Sequence, residues 1–167
     1  MKTSDKILTF VAVFISCLAL TVSIVQTRIM QKQSHASVWP RLSNGQGFGP
    51  DYFNYTVNND GVGPAIIKDI YFTYKDTSFY LFHDLMRYFG ELETQELGSR
   101  PKLSFSYSNI FIGGVIKPGE QVEVYDSLDS LSTVLGKKYL LKTDIKVDYC
   151  SIYDQCWTME NDDVREL

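Results

Sequence analysis

A chain of 167 residues, 44% hydrophobic and 22% charged, has material for one globular core of ordinary composition plus an appendage. The net charge of -4 is unevenly spread: residues 1–36 carry Lys2, Lys6, Arg28 and Lys32 against Asp5, whereas the rest holds 12 basic and 19 acidic residues. An acidic globular part repels phosphate backbones and anionic headgroups, which excludes nucleic acid as a partner. Aromatic residues, 14% of the chain and mostly Tyr and Phe, suit the pleated surfaces of a β domain.

Residues 7–25, "ILTFVAVFISCLALTVSIV", run without a charge, proline or glycine. Nineteen such residues match the length of helix needed to cross the hydrocarbon layer. The run is longer than the apolar core of a signal peptide, and the nearest small-x-small pattern, Ser34-His35-Ala36, lies beyond Arg28 and Lys32. Residues 7–25 are therefore read as a single membrane span that contacts the bilayer, with residues 1–6 as a short tail. Cys17 is an unpaired filler within the span. Lys2 and Lys6 favour a cytoplasmic N-terminus, an argument blunted by Arg28 and Lys32 on the far flank.

Residues 26–37, "QTRIMQKQSHAS", read as a polar tether or helix end. "SVWPRL" predicts a first edge strand, because Pro40 restricts Trp39 to extended conformations; Trp39 is assigned to the core, with the lipid interface as the alternative. "SNGQGFGP" is dense in turn formers and predicts a loop. Phe53, Tyr55 and Val57 then alternate with polar residues as in a half-buried strand, and "NDGVGP" turns the chain into a second strand, "AIIKDIYFTY".

In "TSFYLFHDLMRYFG" the period changes: Leu81, Phe82, Leu85, Met86 and Phe89 form one helical stripe, with Ser78 as N-cap and Gly90 as C-cap. "ELETQELGSRPK" predicts a loop, "LSFSYSNIFIGGVI" one or two short strands, "KPGE" a turn, "QVEVYD" a strand, and "SLDSLSTVLGKK" a helical turn ended by Gly136. From Leu141 onward, Leu141, Thr143, Ile145, Val147 and Tyr149 alternate with charged residues, placing the first set inside. "CWTME" closes the strand list, and residues 161–167 form an acidic, frayed tail.

About seven strands with turn signals between them and no βαβ rhythm predict an antiparallel β-sandwich of immunoglobulin-like type over residues 38–160, with one short inserted helix; a small β-barrel is the alternative. His83 and Asp84 are adjacent on the predicted helix and diverge by about 100°, so they cannot form a triad pair. His35 lies far away in the tether. No catalytic, metal or cofactor motif emerges, and a hydrolase is the remote alternative.

Cys150 and Cys156 flank a five-residue spacer in "DYCSIYDQCW". They lack the companions of a zinc site and the spacing of a redox motif. At the base of a hairpin tip they would be cross-strand neighbours, so a disulfide is expected, with free thiols as the alternative. The alternation places Cys150 on the outward face, with Tyr149 and Trp157 packing inward. Disulfides persist outside the cytoplasm, which favours an N-in topology.

The segments "SVWPRL", "NNDGVGPAIIKDI", "IKPGEQVEVY" and "DYCSIYDQCW" together resemble a group of uncharacterised bacterial membrane-anchored proteins, with one N-terminal helix followed by a β-rich domain. "NxGxGPAxI" followed by "xPGE" is also similar to turns of immunoglobulin-like accessory domains, which implies that Gly61, Gly63 and Pro64 are turn formers and Ile66 and Ile67 strand core. The resemblance supplies no catalytic or binding residues. The resulting expectation is a non-enzymatic protein of the bacterial inner membrane whose periplasmic sandwich binds a protein or small ligand. A cytoplasmic ligand-binding domain coupled to the membrane helix is the alternative, and either is compatible with a homo-oligomer.

Overall fold

The computed structural model describes residues 3–167, leaving Met1 and Lys2 of the expected N-terminal tail outside the described residues; the side chains of residues 3–6 and 8 are outside them too. The chain forms two compact units, Met1–Ser37 and Val38–Leu167. The first is a single helix, α1 (Thr3–Ala36), with the apolar run in its N-terminal part. Over Thr9–Ala36 it is long and apolar enough to cross a membrane, with a mean hydropathy of 2.1 in its most apolar window and none of that window buried. The expected tether is its helical continuation.

The second unit is an antiparallel β-sandwich. One sheet has the order β1-β2-β7-β5, built from β1 (Leu42–Gly49), β2 (Tyr52–Asn59), β7 (Gln121–Ser127) and β5 (Phe105–Ser106). The other has the order β10-β9-β8-β3-β4, with β6 (Val115–Ile116) also pairing β3. Its strands are β3 (Ala65–Tyr74), β4 (Thr77–Phe79), β8 (Thr143–Cys150), β9 (Cys156–Glu160) and β10 (Asp163–Glu166). Phe53, Tyr55 and Val57 from the first sheet and Ile70, Phe72, Ile145, Val147 and Met159 from the second share one buried core. Alternation puts every second side chain on one face of a strand, and burying that face against another sheet fixes the register.

The inserted helix, α2 (Phe82–Leu97), is longer than its stripe suggested. Phe82, Leu85, Met86 and Phe89 are buried as expected, with Phe82 against Phe72 at 5.6 Å and Phe89 against Tyr74 at 5.1 Å between ring centroids. Leu81 is instead the exposed N-cap, and Ser78 lies in β4. The predicted loop after Gly90 continues the helix, because Gly98, with φ 71°, is the residue that adopts the left-handed cap. The expected helical turn near Gly136 becomes a second helix, α3 (Ser130–Tyr139), capped by Asp129, whose carboxylate accepts from the Ser132 N–H at 2.6 Å. Gly136 sits inside α3, where a Cβ would approach Phe53 and Tyr125 to 2.7 and 2.8 Å. It permits close packing on the sheet rather than ending the helix.

Four further expectations are corrected. "SVWPRL" forms no strand apart from Leu42, and Trp39 is 41% exposed rather than core; its carbonyl accepts from the Val62 and Gly63 N–H groups. The glycine-rich loop is strand β1, paired with β2 over all eight residues, because Thr56 and Asn54 lie across Gly45 and Gly47 and fill the space side chains would take. Leu141 is exposed in a 3-10 turn (Leu140–Lys142) that shifts the inward face by one residue and buries Leu140 instead. The acidic tail is β10, returned onto β9 by Asn161 and Asp162, both at positive φ, as a two-residue hairpin turn requires.

Candidate functional site

The β8–β9 ladder runs from Lys146↔Glu160 to Cys150↔Cys156, and the two cysteines are joined by a disulfide with a Cα–Cα distance of 4.0 Å. Tyr149 and Trp157, one step along the ladder, stack inward with ring centroids 5.9 Å apart. The Tyr149 hydroxyl accepts from the Leu42 N–H at 3.3 Å, tying the hairpin to β1, and burial pushes its ionisation upward. Cys150 is only 2% exposed, contrary to its outward parity. The bridge and the returning tip, where the Ser151 N–H donates to Gln155, shield it.

Register places several loops at this same end of the sandwich. Cys150 lies opposite Ile66, Ala65 opposite Ile116, and the Ile67 N–H donates to the Gly114 carbonyl, so the 60–64, 111–114 and 151–155 loops are neighbours. The chain also enters the domain here, since Gly63 packs so closely on Val38 that a Cβ would collide with the Val38 carbonyl. Asn59 organises the end. Its buried amide donates to the carbonyls of Gly63 (2.8 Å) and Ile116 (2.9 Å), and its oxygen accepts from the N–H groups of Arg41 (3.2 Å) and Gly61 (3.1 Å). No motif signals this role; only the position of Asn59 at the last rung of β2, before a glycine turn, hints at it.

Around this organised base the loop tips are apolar. Phe111 is 64% and Ile112 63% exposed, and Val62, Ile152 and Tyr153 also face outward. Beside them is a groove of about 580 Å³ between β6 and β7, with Ile67, Ile110, Ile116 and Val122 in its lining and Glu120 and Glu123 among its polar residues. The helical end of the domain exposes Leu128, Leu131 and Val134 as well, over a buried polar network. There Phe89 of α2 stacks on Tyr139 of α3 at 4.7 Å, and Glu93, 5% exposed, accepts from the Tyr139 hydroxyl (2.6 Å) and the Lys138 ammonium (2.5 Å), which also reaches Glu96 at 2.6 Å. Burial acts to raise the Glu93 pKa, but the hydrogen bonds from Lys138 and Tyr139 outweigh it and hold the carboxyl below its usual range. Burial, with the Glu93 hydrogen bond, pushes Tyr139 up to about 12. Every group in this network has a partner, and its effect is to join the two helices.

His83 is exposed and borders a shallow cleft with Arg87, Arg100, Pro101 and Phe105; no carboxylate lines it. Among the described residues no three His, Cys, Asp or Glu side chains converge to hold a metal ion. Fold and site together define a two-sheet, disulfide-stapled β domain following an apolar helix, with one cluster of exposed apolar side chains on the loops at the end where the chain enters. Comparison with protein families, curated proteins and solved structures finds no match.

Proposed function

We propose that this chain is a signal-anchored, single-pass protein of the bacterial inner membrane whose immunoglobulin-like sandwich, on the periplasmic side, binds another protein. The observation that carries the reading is the crown of exposed apolar side chains, Val62, Phe111, Ile112, Ile152 and Tyr153, on an end whose loops are tied together by the Asn59 hydrogen bonds and which carries the Cys150–Cys156 bridge. Clustered exposed apolar residues mark interaction surfaces, and a pre-ordered base lowers the entropy cost of using them. The disulfide supports the extracytoplasmic side, because thiols in the cytoplasm are kept reduced.

Two measurements test this. In intact cells a membrane-impermeant maleimide labels Cys150 and Cys156 only after reduction; thiols that are free and reachable only after lysis would point to the cytoplasmic, ligand-coupled alternative. A photo-crosslinking amino acid at Phe111 or Ile152 yields a discrete protein adduct, whereas the same probe at exposed Tyr80 gives none. Lipid adducts alone, or equal yields at all three positions, would refute protein binding through this end.

A further inference from the structure

The strands β6 and β7 follow one another across the 117–120 turn, yet they do not pair. β6 adds to β3 in one sheet and β7 to β2 in the other, so the two diverge and the groove opens between them. Hydrogen bonds on either side fix which backbone groups face it. The Asn59 N–H donates to the Glu120 carbonyl at 3.0 Å, and the Ser108 N–H donates to the Glu123 carbonyl at 2.8 Å. In an antiparallel ladder successive residues point their backbone groups to opposite sides. Val122 therefore faces β2, while the N–H and C=O of Gln121 and the N–H of Glu123 face the groove. On the other wall the Ile67 N–H donates to the Gly114 carbonyl at 2.9 Å, so the N–H and C=O of Val115 turn away from β3 into the same space. Among the described residues none of these groups has a partner.

The opposite side of the sandwich is treated differently. There the first two edge donors of β1 are taken by side chains from beyond its own sheet: the Leu42 N–H by the Tyr149 hydroxyl and the Asn44 N–H by the Asp162 carboxylate at 2.6 Å. The β1 edge is capped at its start, whereas the β7 edge is left open over an apolar floor. An open row of alternating donors and acceptors is the complement of an extended peptide, whose main chain pairs with the edge while alternate side chains enter pockets. The two carboxylates, Glu120 and Glu123, set the preferred charge of such a peptide.

Building on the protein-binding reading above, we propose that the groove receives a short extended segment of the partner as an added strand on the β7 edge. A Lys or Arg of that segment lies against Glu123 and Glu120, and its apolar side chains face Ile67, Ile116 and Val122. The free edge spans only Gln121 to Glu123, roughly 10 Å at ~3.3 Å per residue, so the segment is short and the exposed Phe111 and Ile112 extend the contact beyond it.

The test uses the full-length, nitrogen-15-labelled chain in detergent micelles and a blocked hexapeptide of alternating valine and lysine as probe. The amides of Gln121, Glu123 and Val115 exchange at least tenfold more slowly with the peptide than without, and Glu123→Gln weakens binding at least fivefold. A glutamate-for-lysine peptide and a peptide with proline at a central valine give neither effect. Gln121→Pro removes the outward donor while leaving the Val122 bonds to β2, and abolishes binding; should that variant misfold, the proline peptide carries the same test. Unchanged exchange at millimolar peptide overturns the proposal, as does slowing confined to the loop tips. Protection present without peptide that rises with protein concentration means a second copy fills the groove, and also overturns it. A crosslinked protein at Phe111 without groove protection leaves the protein-binding reading standing and removes strand addition alone; absence of both removes both.

Discussion

Reducing the Cys150–Cys156 bridge perturbs the domain in a way that can be worked from its geometry. The bridge closes a loop with a sequence separation of 6. In the chain-entropy treatment a loop of about six residues restricts the unfolded chain by ~7.4 cal/mol/K, or about 2.2 kcal/mol at 25 °C. In the folded state little else changes, since the Tyr149–Trp157 stack and the β8–β9 ladder hold the strands in place without the bond. Unfolding of Val38–Leu167 carries an entropy near 270 cal/mol/K at ~2.1 cal/mol/K per residue, so the loss corresponds to a fall in Tm of about 8 °C. The assay is near-ultraviolet circular dichroism of the Cys17→Ala chain in detergent with and without reductant. The Cys150→Ala/Cys156→Ala variant, which the reductant does not affect, serves as control and melts close to the reduced protein. A fall under about 2 °C would mean that the hairpin is already closed in the unfolded chain. A fall of about 20 °C or more would mean that the bridge orders the sheet rather than trimming the unfolded ensemble, and either result refutes the calculation.

Asn59→Ala removes the hub of the chain-entry end and leaves four backbone groups without their partner; a loss of about 2–4 kcal/mol in urea denaturation is expected, with slowed exchange lost first at Arg41 and Gly61, whose N–H groups donate to the Asn59 oxygen. Two helical glycines give opposite signs: Gly90→Ala, with nothing within 4 Å of its Cβ, stabilises by about 0.5–1 kcal/mol, whereas Gly136→Ala destabilises by about 1–3 kcal/mol through contact with Phe53 and Tyr125. Both are read from Tm. The depressed pKa of Glu93 makes its contribution complete above the unfolded carboxyl value and lost as pH falls through the folded one. Denaturation midpoints measured from pH 6 to pH 3 therefore fall more steeply for the native chain than for Glu93→Gln, and parallel curves would contradict the Lys138 and Tyr139 pairing. Tyr139→Phe, which removes only the hydroxyl donor, costs about 1 kcal/mol in the same assay.

The parts of the fold legible in the sequence were those where local pattern and burial agree. The alternation of Phe53, Tyr55 and Val57, the stripe Phe82, Leu85, Met86 and Phe89, and the cross-strand placement of Cys150 and Cys156 all follow from one-dimensional periods. The misreadings arose where a residue's role depends on something distant in the chain. Gly45 and Gly47 look like loop residues until Thr56 and Asn54 are laid across them, and Gly136 looks like a stop until Phe53 and Tyr125 are beneath it. Asn161 and Asp162 did carry a local signal, a two-residue hairpin turn, hidden by the acidity of the C-terminal segment around them. The groove had no sequence signature, because it consists of backbone left unpaired when adjacent strands part into different sheets.

The glycine-rich strand β1 has a bearing on aggregation. It forms the outer edge of its sheet, the position from which β proteins most readily recruit strands of other chains. With three glycines, no β-branched residue and only Leu42 and Phe48 as large apolar side chains, it offers an incoming strand little to pack against. Replacing Gly45 and Gly47 with valine would raise strand propensity but would collide with Thr56 and Asn54 and turn a poor adhesive surface into a better one. The weakest strand of the sandwich by composition is thus placed where weakness keeps neighbouring copies soluble.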